Sequence, residues 1–195
     1  MKNEKIWCIE KSKLFNEGYF HGYVNHDISF NSKIVSNKKN MNRSLVETNE
    51  DYKQPITYIV IMNVTRDKVF GYIRQGNEDR LTDKWSFGFG GHINQNDLTF
   101  VAAVAREVEE ELDIEINDLV VYPAGYINLD NSPVNRVHFG LVYKAVIRED
   151  YDLKLRGFEN KSGMWLSADD LDSMQFEDWS EIIKPVVKEW LSQKK

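Results

Sequence analysis

Gly90-Gly91-His92-Ile93 opens a stretch that closes on Arg106-Glu107-Val108-Glu109-Glu110-Glu111-Leu112, and the rest of the chain is read around it. Val101, Val104, Ala105, Val108 and Leu112 recur at three- and four-residue spacing. At about 100° of rotation per residue they fall on one apolar stripe, so an amphipathic helix is expected here. On the same wheel Glu107, Glu110 and Glu111 gather beside the stripe, while Glu109 points nearly the other way. No lysine is interleaved to relieve the three acids, and like charges at this spacing destabilise a helix by roughly 0.2–0.5 kcal/mol per pair. A cation would repair this.

A solvated acidic face is one reading of such a run, since exposed helix faces often carry patterned charge. The preceding loop favours another. Gly88, Gly90 and Gly91 lie between Trp85-Ser86-Phe87 and the helix, where glycines permit tight turns and close backbone approach to a ligand. Clustered carboxylates behind such a loop suit a hard divalent ion such as Mg²⁺, held with waters and substrate phosphates.

Gly91-His92-Ile93 and Arg106-Glu107-Val108-Glu109-Glu110-Glu111 together resemble the Nudix box. That pattern runs Gly, five residues, Glu, seven residues, then Arg-Glu-aliphatic-any-Glu-Glu-any-Gly-aliphatic. Arg106, Glu107, Val108, Glu110, Glu111 and Ile114 fall on its second half. The first half departs: counting back from Arg106 puts Leu98 at the first Glu and His92 at the Gly. A one-residue insertion restores Gly91 and leaves Asp97 as the nearest acid, and Asp113 replaces the last Gly. Gly-Gly-His-Ile-Asn and Glu-Glu-Leu look more specifically like a bacterial branch of MutT-like predicted phosphoesterases. In that branch the likeness extends to Lys53-Gln54-Pro55-Ile56 and Arg136-Val137-His138-Phe139-Gly140.

The resemblance implies an α/β fold, a Nudix-type α/β/α sandwich with a mixed sheet and a loop-helix-loop metal site. Hydrolysis of a nucleoside diphosphate linked to another group is the implied reaction, with Mg²⁺ or Mn²⁺ as cofactor. Carried over by position, Glu107, Glu110 and Glu111 are metal ligands, Glu107 also positions or deprotonates water, and Arg106 orients a glutamate. Asp97 is a candidate for a peripheral role, and Glu159 for the downstream acid that some members use. A catalytically silent Nudix module that senses a nucleotide or nucleotide sugar is the alternative, raised by the degraded first half of the box. Isomerase chemistry of the superfamily uses a site cysteine, and Cys8 lies far along the chain from the glycine loop.

With 195 residues, 42% of them hydrophobic, the chain can bury a sizeable core. The expected division is an N-terminal extension, residues 1–54, packed on a main domain, residues 55–195. A formal charge of −6 argues against a nucleic-acid partner, which would need a basic face, and against charge-driven membrane binding. No run of 18 apolar residues exists and the first residues lead into no signal-peptide core, so a cytoplasmic protein is expected. Cys8 is the single cysteine and forms no internal disulfide.

Along the rest of the chain, Ile6 to Ile9 suggests a short strand. Leu14, Phe15 and Tyr19 to Tyr23 supply aromatic bulk that either packs the extension or forms a lid or dimer arm. A homodimer is thus left open. Ile56 to Met62 and Lys68 to Arg74 read as a hairpin. Arg74 and Arg80 either solubilise the surface or grip a diphosphate through bidentate contacts. Trp85 either joins the core or stacks on substrate, and Gly90 and Gly91 complete the expected substrate loop. After the helix, Leu119 to Ile127 suggests a strand bent near Pro123, Asn128 to Asn135 a turn-rich loop, and Val137 to Ile147 a long strand. Asp152 to Leu155 and Met164 to Leu166 read as shorter strands. Ser167 opens a capped helix. Asp178 is expected to cap a last helix whose apolar side carries Trp179, Ile182, Ile183, Val186 and Trp190, and Pro185 to start a new segment or kink it.

Overall fold

The computed structural model describes residues 4–74, 84–148, 153, 155–156 and 160–193. In chain order its elements are β1 (Lys5–Glu10), α1 (Lys11–Leu14), β2 (Gly22–Asn25), α2 (Ile28–Asn37), β3 (Lys39–Asn42), α3 (Arg43–Val46), β4 (Tyr52–Met62), β5 (Val69–Arg74), β6 (Trp85–Ser86), β7 (Gly88–Phe89), α4 (Phe100–Leu112), β8 (Leu119–Asn128), α5 (Pro133–Val137), β9 (His138–Ile147), β10 (Asn160–Leu166), α6 (Ala168–Ser173) and α7 (Asp178–Ser192). This is an open α/β fold with a mixed sheet. Two compact units are distinguished, and β4, α4, β8 and β9 each run from one into the other.

The first unit comprises Met1–Tyr58, Gly91–Ala103 and Pro123–Val142, so the N-terminal residues cluster with two later segments. They contribute strands: β1 pairs antiparallel with β3 (Trp7 opposite Asn40) and with β4 (Ile9 opposite Lys53), and β2 pairs with β8 (Tyr23 opposite Ile127). Ile6, Trp7, Cys8 and Ile9 are all buried, as an apolar run covered on both faces must be. Part of the aromatic bulk of this segment packs inward, while Tyr19 is 47% exposed. Phe15, Phe20 and Phe30 surround Phe139 at 6.0, 6.1 and 5.6 Å between ring centroids, and Tyr126 stacks on Phe139 at 5.6 Å.

Ser36 to Asn42, a polar and basic stretch, forms the end of α2 and the edge strand β3, with the Lys38 ammonium 3.0 Å from the centre of the Trp7 ring. Where a turn-rich loop was expected after Asn128, Ser132 caps the short helix α5 by accepting from Asn135 N–H at 3.2 Å. β8 passes through Pro123 as one strand.

Close approach of β2 and β8 depends on Gly125. A Cβ there would stand 2.3 Å from the Val24 carbonyl oxygen and 2.4 Å from the Tyr23 ring. Since the first obstacle is backbone, Gly125→Ala is expected to destabilise the protein by about 2–3 kcal/mol, within the range for overpacking. Thermal unfolding reads this out, and an unchanged midpoint would show that the two strands separate without cost.

The second unit comprises Ile59–Gly90, Val104–Tyr122 and Tyr143–Lys195. The expected hairpin is present, with Met62 of β4 opposite Val69 of β5. β10 lies antiparallel to β5, and β6 and β7 pair with β5 and β4 through Trp85 opposite Ile73 and Phe89 opposite Ile59. Phe70, Tyr72 and Phe89 form one aromatic core group, with Trp165 against Phe70 at 5.2 Å. Leu153 and Leu155 belong to no strand, contrary to expectation, and Asp152 and Lys154 lie outside the described residues.

The expected cap at Ser167 is present on α6, where Ser167 and Asp170 close a capping box. On α7 the cap is Glu177, one residue earlier than expected, and its carboxylate accepts from Trp179 N–H and Ser180 N–H at 2.8 Å each. Pro185 lies inside α7, which continues as one helix to Ser192. Its buried line is Trp179, Ile183, Val187 and Leu191, a plain four-residue repeat, and Ile182 is 36% exposed. Among the described residues no helix is long and apolar enough to cross a membrane.

Candidate active site

The signature helix forms where periodicity places it, and α4 buries Val104, Val108 and Leu112. Val101 does not share that burial. It is 57% exposed in the first helical turn, where Ala103 is buried instead.

The four charged candidates have distinct surroundings. Glu107 is buried, Glu110 exposed and Glu111 half-buried, and Glu109 is exposed. Arg106 Nη1 donates to Glu107 Oε1 at 2.7 Å and to Glu110 Oε2 at 3.2 Å. The acidic patch, in which no lysine is interleaved, therefore has a cation of its own in Arg106. Arg106 and Glu110 are four residues apart, where helical side chains meet, and the same guanidinium reaches Glu107 beside it.

Glu111 faces the glycine loop. Gly90 N–H donates to Glu111 Oε2 at 3.4 Å, and Gly90 adopts φ +136°, a conformation that residues with a Cβ rarely take. The loop ahead of it is fixed by a buried polar network that the sequence reading missed. Tyr72 OH donates to Gly88 O at 2.9 Å, and Gly88 N–H to Ser86 Oγ at 3.2 Å. Ser180 Oγ accepts from Phe87 N–H at 3.2 Å and donates to Glu177 Oε1 at 2.6 Å. Glu177 thus caps α7 and holds the loop with one carboxylate. The only sequence signal was the cap pattern at the start of that helix.

The helix end explains a departure from the box. Asp113 adopts φ +58°, the left-handed conformation that glycine takes without strain and that aspartate tolerates better than most residues. Asp113 N–H donates to Glu109 O at 3.1 Å, a left-handed C-cap. Arg156 covers the same end, its N–H donating to Glu111 O at 2.7 Å and its guanidinium pairing with Asp113.

The remaining candidates are dispersed. Trp85 is half-buried, with its backbone pinned by Gln175 O at 3.0 Å and by Glu177 N–H at 2.9 Å. Arg74 ends β5 opposite Asn160. Gly91 lies in the first unit, where its N–H donates to Thr57 Oγ1 at 3.3 Å and its carbonyl accepts from Thr57 N–H at 3.0 Å. Asp97, also in that unit, is buried and accepts from Asn94 N–H at 2.7 Å, closing a turn. Arg80 and Glu159 lie outside the described residues.

Three carboxylates on one helix supply the hard oxygen donors that Mg²⁺ or Mn²⁺ takes, so the donor chemistry fits such an ion. Among the described residues, however, no three His, Cys, Asp or Glu side chains converge as a metal-holding group. Arg106 occupies the place between two of the acids.

The chain matches the family described as NUDIX domain over residues 53–190. It belongs to the Nudix family. Residues 53–190 are a Nudix hydrolase domain. Protein YmaB of Bacillus subtilis (strain 168) is 31% identical over 170 residues, covering 80% of this chain and 82% of YmaB. Among solved structures, Tm1382, described as a candidate Nudix hydrolase, superposes with a TM-score of 0.74 at 23% identity, covering 95% of this chain and 99% of Tm1382. The NUDIX domain of Shewanella oneidensis NrtR, complexed with ADP ribose, gives 0.56 at 13% identity, covering 77% of this chain and 96% of that domain. At these identities the two structures speak for the Nudix fold.

Proposed function

We propose that this Nudix protein is a metal-dependent hydrolase of a phosphoanhydride of the nucleoside diphosphate-X type, acting by water attack on phosphorus. The observation that carries the reading is the charged face of α4, where Arg106 draws Glu107 and Glu110 together and Glu111 meets the Gly90 N–H. Glu107, Glu110 and Glu111 would hold Mg²⁺ or Mn²⁺. When bound, such an ion neutralises the diphosphate and makes its water more acidic.

The protein groups do the rest. Arg106 orients Glu107 and Glu110 by charge-assisted hydrogen bonds, and Glu107 positions or deprotonates the attacking water. Gly90 and Gly91 let backbone approach the phosphates. Arg74 and Arg80 grip them, both on the strength of sequence alone, and Trp85 offers a stacking face. A small-molecule nucleotide or other diphosphate is the substrate class, with no nucleic-acid or membrane partner and the cytoplasm as the compartment. A homodimer stays compatible with this reading.

Phosphate release is the test, with pyrophosphatase or phosphatase added as needed to reveal the products, measured with nucleoside triphosphates, dinucleoside polyphosphates, ADP-ribose and nucleotide sugars, each with Mg²⁺ or Mn²⁺. Wild type is expected to turn over at least one class in a metal-dependent way, and Glu111→Gln to lose that turnover. A second reading has its own support: the first half of the box lacks its Glu, and its nearest acid, Asp97, closes a turn with Asn94. A silent sensor would bind a nucleotide or nucleotide sugar in a thermal-shift assay and release nothing across the panel.

A further inference from the structure

The last turn of α4 holds Glu109, Glu110 and Glu111 and no basic residue, at the helix end where the backbone dipole is itself negative. Arg106 answers Glu107 and Glu110 from further back along the helix. A cation at the end itself has to come from another part of the chain, and Arg156 brings one.

Arg156 N–H donates to Glu111 O at 2.7 Å, which partners one of the carbonyls that a helix end leaves open. Its guanidinium pairs with Asp113, the residue whose φ of +58° turns the chain out of the helix. The residue before it, Leu155, lies over Gly163 of β10, where an added Cβ would stand 2.8 Å from Leu155 Cδ1. One short stretch is thus seated on the sheet by Leu155 and on the end of α4 by Arg156.

Glu111 is what this seat holds. Its carbonyl meets Arg156 N–H, and its carboxylate meets Gly90 N–H at 3.4 Å, so the turn is fixed through both backbone and side chain. The ion pair contributes little by itself, since the Arg156 and Asp113 side chains are each 54% exposed. Its effect is geometric. Asp113 stands where the Nudix box has glycine, and a residue with a Cβ leaves the left-handed conformation far more readily than glycine does. An Asp113 that left it would unwind the preceding turn and displace Glu110 and Glu111.

We propose that Arg156 is a positioning residue, which keeps Asp113 in the left-handed conformation and thereby fixes Glu110 and Glu111 for a divalent ion. The inference rests on the reading of the α4 carboxylates as metal ligands.

Charge and position act on such an ion with opposite signs. A guanidinium near a cation repels it, so if charge were its whole influence, removing Arg156 would tighten binding. If Arg156 holds the carboxylates in place, removing it loosens binding.

Mn²⁺ affinity of the full chain, read from the electron spin resonance signal of the free ion, tells these apart. Arg156→Ala is expected to weaken binding roughly fivefold, within the coupling range of residues in contact. Arg156→Lys keeps a cation on Asp113 and should stay near wild type. Asp113→Gly, added to Arg156→Ala, should restore the affinity, because glycine holds the left-handed conformation without a tether. Unchanged or tighter binding in Arg156→Ala overturns the proposal, as does failure of Asp113→Gly to restore it. Glu111→Gln separates this from the metal reading: Mn²⁺ binding that it leaves intact lies elsewhere, and the reading of the α4 acids fails. Hydrogen exchange at Asp113 N–H, which donates to Glu109 O, then tests the tether by itself. It should be faster in Arg156→Ala than in wild type, and equal rates reject Arg156 as the residue that holds the turn.

Discussion

Glu107→Gln is expected to lower turnover by roughly 10²–10⁴, the range for loss of a positioned acid–base group, while the fold persists. Glu107 is 7% exposed, and its carboxylate takes the shorter of the two Arg106 contacts, 2.7 Å. Glutamine keeps the length and can still accept that hydrogen bond. What it lacks is the charge that holds an ion and the basicity that draws a proton from water. The cost in stability should be about 1 kcal/mol, the difference between a charge-assisted and a neutral hydrogen bond. Turnover of the best substrate in the panel, measured beside a denaturation curve for each protein, separates the two effects. Unchanged turnover would remove Glu107 from the proposed machinery, and the site would have to be sought elsewhere.

Lys53→Met should produce the largest loss of stability, about 2–4 kcal/mol. Lys53 is fully buried, and its ammonium donates to Asn135 O and His138 O at 3.0 Å each and to Leu129 O at 3.5 Å. Methionine fills similar space and donates nothing. It strands carbonyls that each cost about 1–3 kcal/mol when buried without a partner, and this is partly offset by no longer burying a charge. Burial pushes the Lys53 ammonium down to about 7 from 10.5. Between those values the unfolded chain holds a proton that the native chain has released, so stability rises as pH goes from about 7 toward 10.5. Below about 7 both states are protonated and this contribution is flat. Lys53→Met should lack the rise. Denaturant midpoints at several pH values test both parts, and a shift below about 0.5 kcal/mol at neutral pH would show that the carbonyls do not depend on the ammonium.

The legible parts of the chain share a physical property: their signals are local. A hairpin declares itself by two β-branched runs about a polar turn, and β4 and β5 follow. A capping box needs four neighbouring residues, and Ser167 with Asp170 form it. The charged half of the signature is also local, because residues three and four apart on a helix meet whatever surrounds them. Glu107, Glu110 and Arg106 therefore gather as their spacing requires.

Other features were hidden because they depend on partners far along the chain. Nothing within residues 1–54 announces that β2 will pair with β8, or that Phe15, Phe20 and Phe30 will close around Phe139, 109 positions beyond the last of them. The sequence points to Asp178 as the cap of the last helix, and the link from Glu177 through Ser180 to Phe87 exists only once α7 docks beside the glycine loop. Lys53 carries no local sign of burial, and three carbonyls from residues 129–138 converge on it only in the fold.

The sequence by itself determined the helix that carries Arg106 to Glu111, the glycine-rich approach to it and the family, because periodicity and spacing act over a few residues. Only the tertiary structure decided what each acid faces, why Asp113 can stand where the box has glycine, and which buried polar groups hold the loop. Desolvation is the reason. A carboxylate, an ammonium or an imidazole becomes costly to leave unpartnered only after the fold removes water, and its partners come from wherever the chain returns.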